Sequence, residues 1–456
     1  MKNEYSFKGD VYPLVRLVIP LTLTGMVQSA AWFFQTLFLA HVGGESLAAG
    51  SLVGWLFATL FVIVAGILCS VNILVSHKHG ADDQHAIAVL AREGLWLATF
   101  LAILAILLLW NMAPIFLLFG QSEDVVLLVE PYLHALSFGV LADFITRAVL
   151  GVIIGVGRAR ITLAFSVIAV SLNVICSYAF IFGKFGFPAI GIAGAGWGMT
   201  ASYIGTLIAL IVFTINDVKL RKYFRLIFTL DSPVYLLEMI YLGLPLGLMH
   251  CVEVAFFFAL TLSMGVLGLE TQAANQVVLQ YLNLMMAMIF SLSQAITIRV
   301  GHLLGVGQID AVERASYLGV LMAVSFISVI AIIYWNYPFV LISVDFNVLN
   351  PTNHRIVSKV VDFLEICAIF QIVETARIAL FGSLRGLKDT RFTLVTSIVS
   401  FWCIALPAGY LFAMQAKLGG IGYWWGMVIG ASVGAVLLLL RFRLRIKCFH
   451  KMDLVA

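Results

Sequence analysis

Charged residues are scarce in this chain, at 11% of its 456 residues, whereas 62% are hydrophobic and the mean hydropathy is +1.06. A soluble fold is excluded, because so much apolar surface must face lipid or other helices. Unbroken apolar runs also exclude a β-barrel, whose strands alternate. Twelve runs are long enough to span a membrane, near residues 14–40, 50–76, 93–118, 127–153, 160–182, 191–215, 234–265, 272–300, 315–342, 356–383, 392–414 and 420–440. We therefore predict an all-α polytopic membrane protein.

Several signals of other protein classes are missing. The six cysteines lie mostly inside apolar runs and form no CxxC pair, so we expect neither disulfides nor a cysteine metal site. The glycine-rich stretch 191–198 lacks a phosphate-loop lysine and is more typical of close helix packing. The charged N-terminus runs directly into a full-length span, which does not fit a cleavable signal peptide. We expect no enzymatic activity and no cofactor.

Positive charge marks one side of the membrane. Lys and Arg concentrate in alternate connections, including residues 219–225, 385–391 and 441–447. The positive-inside rule then predicts a multi-pass protein of the inner (plasma) membrane with both termini in the cytoplasm. Because lipid headgroups explain the basic tail, we expect membrane lipids as partners and no nucleic acid.

The second half of the chain repeats the first. One constant offset in residue number aligns Gly43 with Gly268 and His77 with His302. Further along the chain, a second offset aligns Gly155 with Gly386 and Arg160 with Arg391. A third offset aligns Trp197 with Trp425. Each repeat holds six spans, so the halves insert in the same orientation, related by a pseudo-two-fold axis along the membrane normal. We predict an N-terminal lobe at 1–217, a linker at 218–233 and a C-terminal lobe at 234–456.

One acid breaks this symmetry. Glu253 lies inside an apolar span, eight residues after Pro245, whereas the equivalent positions in the first half are Gln28 and Pro20. An ionisable group in a bilayer costs a few kcal/mol or more, so it suggests a functional site. The alternative is a carboxylate held by hydrogen bonds in a packed lobe.

Several motifs resemble one known family. They are HVGGESLAAGS at 41–51, GKFG at 183–186, RVGHLLG at 299–305, GSLRGLKDT at 382–390 and PAGY at 407–410. Over essentially its full length the chain is similar to NorM-like transporters of the multidrug and toxic compound extrusion (MATE) family. The resemblance implies two six-helix lobes that open alternately and exchange organic cations for protons or sodium ions. It also implies an essential acid at Glu253 and a second acid at Glu374.

Glu374 shares a helical stripe with Gln371, and Arg377 follows it at i+3. Arg377 could neutralise Glu374 as a local pair or extend to the membrane interface. If Glu253 and Glu374 approach each other, they could share a proton that is released when a cation binds. We therefore predict ion coupling by Glu253 and Glu374, with a sodium site at the same acids as the second possibility.

Neutral polar residues within the spans are candidates for lining a substrate cavity, although such amides also stabilise helix packing. The candidates are Gln28, Gln35, Asn72, Asn173, Gln276, Gln280, Asn283 and Gln371. Many NorM-like proteins have an aspartate where this chain has Gln35, which leaves Asp143 as the acid deep in the first lobe. Arg147 at i+4 favours a neutral ion pair there over an ion pathway.

These features together predict a monomeric secondary antiporter for small amphipathic organic cations. The alternative is a flippase for lipid-linked precursors, which would need a basic cavity to hold a diphosphate. Glu253 and Glu374 instead predict an acidic cavity.

Overall fold

A computed structural model of the chain describes residues 7–118, 123–227, 229, 231–343 and 354–453, and these residues form helices without any strand. In chain order the helices are α1 Phe7–Val42, α2 Gly44–Gly80, α3 Gln84–Trp110, α4 Met112–Leu118, α5 Glu123–Gly155, α6 Ala159–Phe182, α7 Ile192–Asn216, α8 Val218–Arg221, α9 Leu236–Val266, α10 Leu269–Gly305, α11 Ile309–Asn336, α12 Pro338–Ile342, α13 His354–Gly386, α14 Thr390–Ser397, α15 Leu406–Tyr410 and α16 Gly420–Asp453. The π-helical stretch Ile398–Ala405 joins α14 to α15, and a second one, Leu411–Gln415, follows α15 in the same span.

Eleven helical segments among the described residues are long and apolar enough to cross a membrane. Helix α13 has 33 residues but is more polar, because charged side chains such as Glu374 and Arg377 lie on it. The predicted fold class, an all-α polytopic membrane protein, is confirmed.

The helix boundaries repeat with the offsets found in the sequence. The offset that aligns Gly43 with Gly268 also moves both bounds of α2 onto those of α10, and the offset that aligns Gly155 with Gly386 aligns the ends of α5 and α13. A local cause is visible at the start of α2 and of α10. Gly43 (φ 150°) and Gly268 (φ 115°) precede these helices with backbone angles that favour glycine. Equivalent glycines therefore start equivalent helices.

The chain divides into two compact units, and Ile19–Gly247 forms one of them. In this unit α5 packs on α2, α3 and α7, around buried residues such as Leu133, Phe144 and Val71. The stretch 191–198 allows α7 to lie close to α6, since a Cβ at Gly194 or Gly198 would collide with the α6 backbone. The close packing predicted for these glycines is therefore confirmed.

The other unit falls, within the described residues, in Met1–Val18 and Leu248–Ala456. Helix α13 packs there on α10, α11 and α16. Its core contains the buried aromatic residues Phe370, Phe401 and Trp424. A central helix of this unit therefore carries Glu374 and Arg377.

The predicted linker is held against α3. After α8 and a 3₁₀ turn (Lys222–Phe224), Arg92 donates to Asp231 at 2.9 Å. The fully buried Glu93 accepts the backbone N–H groups of Val234 and Tyr235, each at 2.7 Å. Two carboxylate oxygens thus satisfy backbone donors that precede the first hydrogen-bonded turn of α9.

Candidate ion-coupling site

Glu253 and Glu374 bind the same arginine. Arg377 donates from Nε and Nη2 to the two carboxylate oxygens of Glu374, at 2.8 and 2.6 Å. The same Nη2 donates to Oε1 of Glu253 at 2.8 Å. The two acids therefore lie close together, with one guanidinium nitrogen between them. Arg377 forms the local pair with Glu374 and does not extend to the interface, since it is only 2% exposed.

A serine and an aromatic ring complete this cluster. Ser397, at the end of α14, donates to Oε1 of Glu253 at 3.1 Å and accepts from Nη1 of Arg377 at 3.2 Å. The guanidinium lies 4.8 Å from the ring centre of Phe401, which belongs to the π-helical stretch after α14. Such stretches are often found at functional sites, because they redirect side chains within a continuous helix.

The two acids differ in how firmly they are held. Glu374 has a bidentate pair with Arg377, the strongest geometry available to a carboxylate. Within the described residues, Glu253 accepts its hydrogen bonds on Oε1, and its Oε2 lies 3.9 Å from Nδ1 of His250 without a hydrogen bond. With both acids ionised and Arg377 protonated, the three groups carry a formal charge of −1. A single proton neutralises them, and Oε2 of Glu253 is the oxygen that can accept it without displacing a bond.

The first unit contains a cavity of about 160 Å³. Three predicted cavity residues, Gln28, Gln35 and Asn173, line it. Asp143 and Arg147 lie on its wall and form a two-bond ion pair, at 2.9 and 3.1 Å. This pair is neutral, and the Arg147 guanidinium lies 3.5 Å from the ring centre of Phe61.

The cavity is the repeat counterpart of the Glu253 cluster. The offset that relates α5 to α13 places Asp143 at Glu374 and Ser166, another lining residue, at Ser397. Both acids have an arginine one helical turn later. The units therefore share an acid, an arginine and a serine, and the difference in acidic residues is the uncharged Gln28 in place of Glu253. The formal charge of −1 on the cluster of Glu253, Glu374 and Arg377 therefore comes from Glu253.

The other predicted cavity residues have different surroundings. Asn72 is buried, bonded to Cys69, and is not among the residues lining the first-unit cavity. Gln371 is buried with its amide on Cys367. On α10 the exposed polar residues of one helical face are Gln276, Gln280 and Asn283.

Sequence reasoning did not identify Ser397 or His250 as neighbours of Glu253. His250 precedes Glu253 by three residues, so helical spacing could have revealed it. Ser397 lies 144 residues away, and its contact depends on tertiary packing.

Comparison with known proteins decides the family. The MatE family model matches residues 20–179 and 245–411, most of the chain. The chain belongs to the MatE family. The resemblance suggested by the motifs is thus confirmed. Two similar relatives are the probable multidrug resistance protein NorM of Pseudomonas aeruginosa and the multidrug resistance protein NorM of Burkholderia vietnamiensis. The first is 31% identical over 95% of this chain and 89% of that protein, and the second is 30% identical over 96% and 95%.

Solved MATE structures share the fold. An outward-facing MATE transporter of the MOP superfamily matches with a TM-score of 0.86 at 21% identity, over 96% of each chain. The eukaryotic MATE transporter AtDTX14 matches with a TM-score of 0.82 at 19% identity, over 98% of this chain and 99% of the other. The protein is therefore a multi-pass membrane protein of a multidrug efflux transporter family.

Proposed function

We propose that this protein is a secondary active antiporter that exports amphipathic organic cations in exchange for protons. Alternating access of two six-helix lobes in the plasma membrane, with both termini in the cytoplasm, would move the substrate. Relatives over nearly the full chain are named for multidrug resistance. The main support for the proposal is the buried cluster of Glu253, Arg377 and Glu374. Its formal charge of −1 can be neutralised by one further positive charge.

Glu253 is the proton carrier in this mechanism. Protonation at Oε2 leaves the bidentate pair between Arg377 and Glu374 intact and makes the cluster neutral. Protonation of Glu374 instead would break that pair. The cluster then has charge −1 when it attracts a cationic substrate and charge 0 after proton uptake from the outside. This difference gives the two states unequal affinity for a cation, as coupling requires.

The cluster favours a proton over sodium as the coupling ion. A sodium ion needs several oxygen ligands, but Oε1 of Glu253 already accepts from Arg377 and Ser397. The arginine would also repel a metal ion placed beside it. Sodium bound by Glu253 and Glu374 is the second possibility.

The charges also favour a cation over a lipid-linked diphosphate as substrate. A diphosphate requires a surplus of basic groups, whereas the second-unit cluster carries a formal −1 and the pair of Asp143 and Arg147 is neutral. Exposed amides on α10, such as Gln276 and Asn283, could add neutral contacts for varied substrates.

Transport in liposomes tests this proposal. Purified protein would be reconstituted with a fluorescent organic cation, and a proton gradient or a sodium gradient would be imposed separately. We expect the proton gradient alone to drive movement of the cation, and Glu253→Gln to abolish it. Glu365→Gln is the matched control, because Glu365 is an exposed acid on α13.

Two results would contradict the proposal. One is transport driven by sodium at uniform pH, which would replace the proton as the coupling ion. The other is wild-type transport by the Glu253→Gln variant, which would remove Glu253 from the mechanism.

A further inference from the structure

The unit formed by Ile19–Gly247 also contains a second cavity, which is larger than the first. It has a volume of about 740 Å³, within the range of about 300–1,000 Å³ typical of ligand sites. Helices α3, α5 and α7 form its walls, and residues 221–227 form one side.

The walls offer little for a polar ligand. They are mainly aliphatic and aromatic, with residues such as Ile145, Val149 and Ile211. The hydroxyls of Thr99 and Thr214 bond to carbonyls of their own helices, at 2.8 and 2.7 Å. These walls therefore fit a hydrocarbon chain.

The remaining side is basic. Arg221 and Arg225 line the cavity and are exposed, and their side chains form no ion pair or hydrogen bond within the described part of the chain. Residues 218–230 include two further cations, Lys219 and Lys222, and no acid.

The acids that flank this segment bind other arginines. Asp217 accepts from Arg158 at 2.8 Å, and Asp231 accepts from Arg92 at 2.9 Å. Burial alone would raise the pKa of Asp217, but its bonds from Arg158 and from the backbone N–H groups of Leu220 and Lys219 lower it. Asp217 and Asp231 therefore do not neutralise Arg221 and Arg225, whose positive charge is available to bind an anionic ligand.

We propose that this cavity binds an anionic glycerophospholipid. An acyl chain lies between α3, α5 and α7, and the headgroup phosphate binds Arg221 and Arg225. Arginine suits this task, because its planar guanidinium binds phosphate oxygens in pairs. Basic pockets between membrane helices recognise anionic headgroups in the same way. The bound lipid would join the basic segment after α7 to the helices of its own unit.

Native mass spectrometry of the detergent-purified full chain tests the proposal. The protein would be titrated with phosphatidylglycerol and with phosphatidylcholine of the same acyl chains. We expect a preference for phosphatidylglycerol that falls about 30-fold in Arg221→Gln/Arg225→Gln, the factor expected for two arginines near a headgroup. The control Lys219→Gln/Lys222→Gln makes the same charge change in the same segment outside the cavity lining, and should keep the preference.

A third variant tests the proposed binding of the acyl chain between the apolar walls. Thr99→Phe fills the cavity without changing charge and should weaken binding of both lipids. Equal losses in the two charge variants would mean diffuse attraction and would overturn the proposal, as would unchanged binding in Thr99→Phe. Competition by glycerophosphoglycerol at the same concentration as the lipid would also overturn it, because the ligand would then need no acyl chain.

Discussion

Replacing Glu374 with Gln should stop proton-coupled transport, and replacing Arg377 as well should restore it. In the wild type, a proton on Glu253 leaves Arg377 paired with Glu374 through two bonds. In Glu374→Gln, Arg377 and Glu253 already form a neutral pair. A proton on Glu253 would then leave a buried guanidinium without a counter-charge.

The cost of that unpaired charge decides the outcome. Removing one partner of a buried ion pair costs about 3–5 kcal/mol, and Arg377 is only 2% exposed. At about 1.4 kcal/mol per tenfold, protonated Glu253 becomes disfavoured by roughly two to four orders of magnitude. Glu374→Gln/Arg377→Gln removes the penalty, because the cluster again changes between charge −1 and charge 0.

Drug resistance of cells and cation transport in liposomes measure the effect. We expect Glu374→Gln to be inactive and the double variant to regain pH-driven transport. Glu374→Gln/Arg377→Lys keeps the positive charge and should stay inactive. Chromatography of the purified variants checks that each is folded. A folded double variant as inactive as Glu374→Gln would refute the charge argument.

Two predictions concern stability. Glu93→Gln should lower the free energy of unfolding by about 1–3 kcal/mol, because one amide oxygen cannot fully replace two carboxylate oxygens that accept Val234 and Tyr235. Thermal unfolding of Glu93→Gln, measured alongside the control Glu365→Gln, checks this prediction. Equal melting temperatures for the two variants would contradict it. Asp143→Asn should lower the free energy of unfolding by about 3 kcal/mol, because it leaves Arg147 without its ion pair. The double variant Asp143→Asn/Arg147→Gln should recover most of this lost stability. Failure to recover would argue against a simple ion pair.

Much of the fold follows from local sequence signals. Long apolar runs predict the helices, and Gly43 and Gly268 start α2 and α10 because of their backbone angles. The repeat offsets, found from matching residues alone, also align the bounds of α2 with those of α10. The lobe boundaries at 217 and 234 and the orientation of the termini stay predictions.

The site was only partly predictable. Glu253 stands out because an acid in a lipid-facing sequence is costly. The spacing of Arg377 and Glu374 allowed a local pair or an interfacial arginine, and only packing decides between them. The contact of Ser397 with Glu253 spans 144 residues, so no helical periodicity reveals it. The equivalence of Asp143 and Glu374 could have been predicted from the sequence, because the offset that aligns Gly155 with Gly386 also aligns these two acids.

Proton release on substrate binding tests the central claim most directly. Purified protein in weak buffer with a pH indicator would be mixed with an organic cation at a series of starting pH values. The wild type should release up to one proton per bound cation, Glu253→Gln none, and Glu374→Gln/Arg377→Gln should again release protons. Equal release by the wild type and Glu253→Gln would contradict the assignment of coupling to Glu253.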